Sequence, residues 1–155
     1  MNTPEPRDHP EYPPLQGGSE DFLNYDPISV ADSKARVAVL FPVAEEIKTL
    51  LLEAGFPVDH FDPMSRDAQS GVCLAVDPGM GISVLWRLPA ELSSRFKDAV
   101  CGTAADPGVI VHSDTVRSAM SGALAEILRA NGYPLVVGEN DLEPYEIYVQ
   151  GARLP

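Results

Sequence analysis

The sequence predicts an α+β domain, a mixed sheet with helices packed on it, preceded by an acidic, Pro-rich tail. Three observations carry that expectation. Two seven-residue runs, Gly71 to Asp77 and Gly81 to Arg87, alternate in polarity at the period of two that a half-buried strand requires. Elsewhere apolar residues recur at i, i+3 and i+4, the period of a helix laid against a core. A corner pattern also occurs twice: Ile47 to Val58 and Leu124 to Leu135 each run from a helical stripe into Gly, an aromatic residue, Pro and an aliphatic residue, at an offset of 77. The repeat suggests duplicated β-α-β-β halves, with an extra hairpin strand and helix inserted after the first.

The tail comes first. Residues 1–34 hold six prolines, seven acids and two basic residues, with too few large apolar side chains to offset the entropy of ordering. Disorder is expected there. Within it, Phe22, Leu23, Tyr25 and Ile28 are interleaved with acids over residues 19–28, a pattern suited to docking on a partner or folding back on the domain. Residues 35–155 form the expected single globular unit, since the whole chain of 155 residues fits one hydrophobic core.

In that unit, Ala35 to Phe41 reads as a buried strand, or, with Val30 onward, as a helix stopped by Pro42; so short an apolar run does not separate the two. Pro42 suits the first turn of a helix with Glu45 and Glu46 near its positive end and Ile47, Leu50, Leu51 and Ala54 on one face, closed by Gly55. Phe56 to Phe61 is a short strand. The hairpin follows, with Val72, Leu74 and Val76 on one strand, Ile82, Val84 and Trp86 on the other, and a Pro78-Gly79-Met80 turn between them. Pro89 opens a helix carrying Leu92, Phe96, Ala99 and Val100. Pro107 and Gly108 read as a turn into a strand, Val109 to His112, after which Ser113 or Asp114 caps a long helix ending near Asn131 and Gly132. Tyr133 to Val137 and Tyr145 to Val149 complete the sheet.

Composition narrows the function. With 11 basic residues against 23 acids, a formal charge of −12 disfavours direct contact with nucleic-acid phosphates. The longest apolar stretch, Val37 to Ala44, is too short to span a bilayer, and the N-terminus lacks the basic and apolar regions of a secretory signal, so a cytoplasmic location is expected. Cys73 and Cys101 sit in no metal-binding or redox spacing and read as reduced thiols.

The enzymatic candidates are two His-x-Asp triplets, His60 to Asp62 and His112 to Asp114. On a strand, residues two apart point the same way, so each triplet can present an imidazole beside a carboxylate, as a metal site or an acid/base pair needs. Asp114 also serves as a helix cap, and no established metalloenzyme spacing accompanies the triplets. Asp77 to Gly81 joins two strands without a Lys, so it reads as a hairpin turn instead of a phosphate loop. The acidic segment Gly138 to Glu146 lacks the residue order of an EF-hand. Trp86 reads as core, and Arg87, facing the other way, as a partner for a carboxylate.

No cofactor or metal is expected from these motifs. The charge and the tail favour a small binding or accessory protein acting through protein–protein contact, with a basic-faced partner that electrostatics would draw in. A DNA mimic is one version of that expectation. The alternative is an enzyme built on His60, Asp62, His112 and Asp114. A homodimer in which a sheet edge or tail covers the second chain is a further expectation.

Overall fold

A computed structural model describes residues 27–60, 70–103, 105–139 and 141–154. Among these residues the chain forms three helices and five strands: α1 (Pro27–Glu53), β1 (Val58–His60), β2 (Gly71–Asp77), β3 (Gly81–Arg87), α2 (Ala90–Val100), α3 (Pro107–Ala130), β4 (Leu135–Val137) and β5 (Ile147–Val149). The strands make one mixed sheet in the order β1-β2-β3-β5-β4. β1 runs parallel to β2, and every other neighbouring pair is antiparallel. The architecture is the expected α+β class.

Alternation places Val72 and Leu74 of β2, Ile82 and Val84 of β3, and Ile147 and Val149 of β5 on one sheet face, where each is at most 1% exposed. Two helices cover that face. From α1 come Leu40, Val43, Ala44, Ile47 and Leu51, and from α3 Leu124, Ala125 and Leu128. Removing each large aliphatic side chain from water contributes about 2 kcal/mol. α2 has no fully buried residue and leans on α3 through half-buried Leu92, Phe96 and Ala99.

Residues 35–41 are helical, correcting the strand reading. The apolar stripe Leu40, Val43, Ala44, Ile47 and Leu51 passes through Pro42 without changing face. Pro42 cannot donate to the Ala38 carbonyl, but both residues are exposed, where solvent can serve that oxygen. A strand would have aligned Val37, Val39 and Phe41; in the helix Val39 and Phe41 are 71% and 52% exposed. α1 also runs across the boundary expected at residue 34, and Glu45 and Glu46 stand in mid-helix, not in a first turn.

Val109 to His112 is likewise the start of α3, not a strand. Asp106 is the N-cap, its Oδ1 accepting from the Val109 N–H at 3.1 Å, with Pro107 in the first turn. Val109, Ser113, Ser121, Leu124, Ala125 and Leu128 are then buried at helical spacing. Among the described residues, neither helix is directly preceded by the strand expected of duplicated halves.

What the two halves share is the corner. Gly55 and Gly132 have φ of 88° and 82°, a left-handed conformation open to Gly at little cost. The Phe56 N–H donates to the Leu51 carbonyl at 3.0 Å, and the Tyr133 N–H to the Leu128 carbonyl at 3.1 Å. Pro57 and Pro134 then accept from Val72 and Gln150. Beyond this point the halves diverge, because β1 pairs in parallel with β2 and β4 antiparallel with β5.

The hairpin has the expected register, with Leu74 opposite Val84 and Val72 opposite Trp86. Asp77 Oδ1 shapes its turn by accepting from the N–H groups of Gly79 at 2.7 Å and Met80 at 2.8 Å. Gly81 has φ of 112°, and a Cβ there would stand 2.3 Å from the Val149 carbonyl oxygen. No described helix is long and apolar enough to cross a membrane.

Candidate functional site

Of the two His-x-Asp triplets, only the second lies wholly among the described residues. His60 ends β1, whereas Asp62 lies outside the described residues. His112 and Asp114 lie in α3, where residues two apart point about 200° away from each other. His112 is exposed and Asp114 half-buried, with Ser113 fully buried between them. The shared face argued from strand geometry is therefore absent at this triplet. Among the described residues no three His, Cys, Asp or Glu side chains come together as a bound cation needs. Phe22, Leu23 and Tyr25 also lie outside the described residues, and Ile28 falls in the first turn of α1.

A polar network occupies the sheet face turned away from α1 and α3. Glu146 accepts from the hydroxyls of Ser83 and, at 2.7 Å, Tyr148. Arg87 Nη2 stands 3.6 Å from Cys73 Sγ. Burial pushes the Cys73 thiol above its usual range, with nearby Arg87 opposing and Asp59 and Glu146 reinforcing the shift. Cys73 is thus held as a thiol at neutral pH, the reverse of an activated nucleophile. The network satisfies polar groups on this face of the sheet.

A second constellation ties the helices to the β4–β5 connection. Arg117 of α3 places its guanidinium carbon 5.7 Å from the Phe96 ring centre and 5.3 Å from that of Tyr145, while Nη2 reaches Glu143 at 2.5 Å. Ser121 adds a 2.8 Å hydrogen bond to the Tyr145 carbonyl. With its side chain only 16% exposed, Arg117 works as a clasp.

A groove of about 510 Å³ runs along the side of α1 turned away from the sheet. Pro42, Glu45, Glu46, Thr49, Leu50 and Glu53 form one wall, at the spacing of a single helical stripe, and Asn131 and Arg153 form the other. The second wall is anchored where the Leu154 N–H donates to the Gly132 carbonyl at 2.8 Å. Arg153 crosses to α1: its Nε donates to the Tyr133 hydroxyl at 3.0 Å and lies 3.6 Å from Glu46 Oε2, with its guanidinium over the Tyr133 ring. The Tyr133 hydroxyl and then Glu46 hold the guanidinium further in its charged form. The lining carries three carboxylates against this one guanidinium, so the groove favours a cationic occupant.

Reading the sequence missed the groove because its walls lie about a hundred residues apart. The legible part was the glutamate spacing along α1; the facing wall depends on where the C-terminal segment docks. Comparison with known proteins matched no family model, no curated protein and no solved structure.

Proposed function

We propose that this chain is a small acidic binding or accessory protein of the cytoplasm, acting through protein–protein contact, with the groove along α1 receiving a basic segment. The observation that carries this reading is the placement of Glu45, Glu46 and Glu53 along a concave surface of about 510 Å³. Concavity supplies contact area, and a wall of one charge sign concentrates and orients a cationic segment. The chain's formal charge of −12 adds long-range attraction of the same sign. The segment carrying Phe22, Leu23, Tyr25 and Ile28 is a second contact in this reading, adding apolar anchors to the groove's charge.

Affinity purification from native extract tests it with three baits: the full chain, the chain without residues 1–26, and a Glu45→Lys/Glu53→Lys variant. The expected result is a salt-sensitive partner with a basic segment that the charge-reversed bait loses. The same variant should weaken binding of an oligolysine peptide. Undiminished retention of both would refute the groove, and loss on removing residues 1–26 would assign part of the contact to the tail.

A further inference from the structure

The groove half of α1 is only half of that helix. Leu40 is the first residue of α1 described as buried; over Ala31–Val39, Ser33 and Val37 are partly covered and the remainder is exposed. At 1.5 Å per residue, Ala31–Val39 extends about 14 Å before the part of α1 that the core holds. A helical segment of that length is marginal in water without a packing surface. The extension also continues the groove stripe: counting back from Glu46 and Pro42 by helical steps reaches Val39, Ala38, Ala35 and Ala31, all exposed and small or apolar. This end of the helix offers a narrow seam for close approach, flanked by Lys34 and Arg36.

We infer that the occupant of the groove is a second copy of this chain, its α1 antiparallel to the first about the level of Leu40. The inference rests on the reading of the groove as a site for a basic segment and names that segment. Three features are self-complementary. The two halves match in length, 27–39 against 42–53, so each extension lies along the other copy's groove with neither overrunning it. The charges match, because the extension carries Lys34 and Arg36 against Asp32, whereas the groove half carries Glu45, Glu46 and Glu53 against Lys48. The flanks match as well. Lys34 and Glu45 are about three whole turns apart and so lie on one side of the helix, and antiparallel pairing brings Lys34 of each copy beside Glu45 of the other. Antiparallel helix dipoles add to the attraction, and a twofold axis forms both contacts at once. A pair of single helices sits at the low end of specific interfaces, about 1,000 Å² in total, so a micromolar dissociation constant is expected.

Sedimentation equilibrium of the full chain, with charge-swapped variants, tests the inference. The expected result is a monomer–dimer equilibrium that weakens with added salt. Lys34→Glu alone and Glu45→Lys alone should each weaken dimerisation at least about tenfold, roughly 1.4 kcal/mol, while an equimolar mixture forms a heterodimer. Register is read in a Cys101→Ser background. Ala31→Cys mixed with Thr49→Cys should cross-link between chains, whereas Thr49→Cys alone, about 27 Å from its own equivalent across the axis, should not. Circular dichroism confirms that each variant is folded. A protein that stays monomeric to about 1 mM, or a mixture that fails to recover association, overturns the second copy as occupant. The groove survives that result if oligolysine binding still falls on Glu45→Lys, and is overturned with it if binding is unchanged.

Discussion

Replacing Arg117 by Met keeps most of the aliphatic stem and removes the charge, so it isolates the electrostatic part of the clasp between α2, α3 and the β4–β5 connection. The wild-type guanidinium faces two aromatic rings at 5.7 and 5.3 Å, each contact contributing about 0.5–1 kcal/mol. The ion pair with Glu143 joins a side chain 16% exposed to one 39% exposed. It is less screened than a surface pair, and Glu143 can be rehydrated once its partner is gone, so about 1 kcal/mol is assigned to it. The total, about 2–3 kcal/mol, lowers the melting temperature by roughly 4–12 °C for a chain of this size. Urea denaturation followed by circular dichroism measures it. Arg117→Lys should recover the ion pair and little of the stacking, because an ammonium lacks the planar guanidinium surface. A cycle with Glu143→Gln should return a coupling of about 1 kcal/mol. If Arg117→Met lies within about 0.5 kcal/mol of wild type, as surface substitutions generally do, the clasp is decoration and the reasoning fails.

Gly81→Ala should cost about 3 kcal/mol or more, because the new Cβ meets the Val149 carbonyl oxygen at 2.3 Å on backbone of φ 112°; a chemical-denaturation midpoint equal to wild type would contradict it. Asp106 predicts an acid-dependent loss of stability. The Arg95 hydrogen bond, and then the Val109 N–H, hold its carboxyl below its ordinary value of 3.8. A carboxyl depressed on folding stabilises fully above its unfolded pKa, and that contribution disappears as pH falls through the lower folded value. Asp106→Asn should therefore flatten the melting-temperature profile below about pH 4, and an unchanged slope would exclude Asp106 from it. For the thiols, iodoacetamide at neutral pH should label exposed Cys101 first and reach buried Cys73 only on unfolding; mass spectrometry showing equal labelling in the native protein would place Cys73 in a more open site.

Local chemistry made several elements legible. The period-two pattern of Val72, Leu74, Ile82 and Val84 needs only neighbours on one hairpin, and the structure shows that register. The corners at Gly55 and Gly132 were readable for the same reason, since each closes its helix through hydrogen bonds spanning no more than five residues. What misled was a short apolar run next to a proline. Ala35 to Phe41 and Val109 to His112 fit a strand as well as a helix when seen alone. In the first, packing of Leu40, Val43 and Ile47 on the sheet selects the helix, and in the second the Asp106 cap and the buried stripe down to Leu128 do so. The correct signal at the second site was present in Asp106 followed by Pro107, a cap and first turn instead of a loop. The same helical geometry separates His112 from Asp114.

The sequence by itself determined the α+β class, the hairpin, the two helix-to-strand corners and the excess of acid, because each depends on residue identity or on partners a few positions away. Tertiary structure decided the parallel pairing of β1 with β2 and the passage of α1 through Pro42. It also decided that Glu45, Glu46 and Glu53 face Asn131 and Arg153 across a groove. Each of these depends on groups distant in the chain, through a shared core or a through-space contact that no local window of sequence contains.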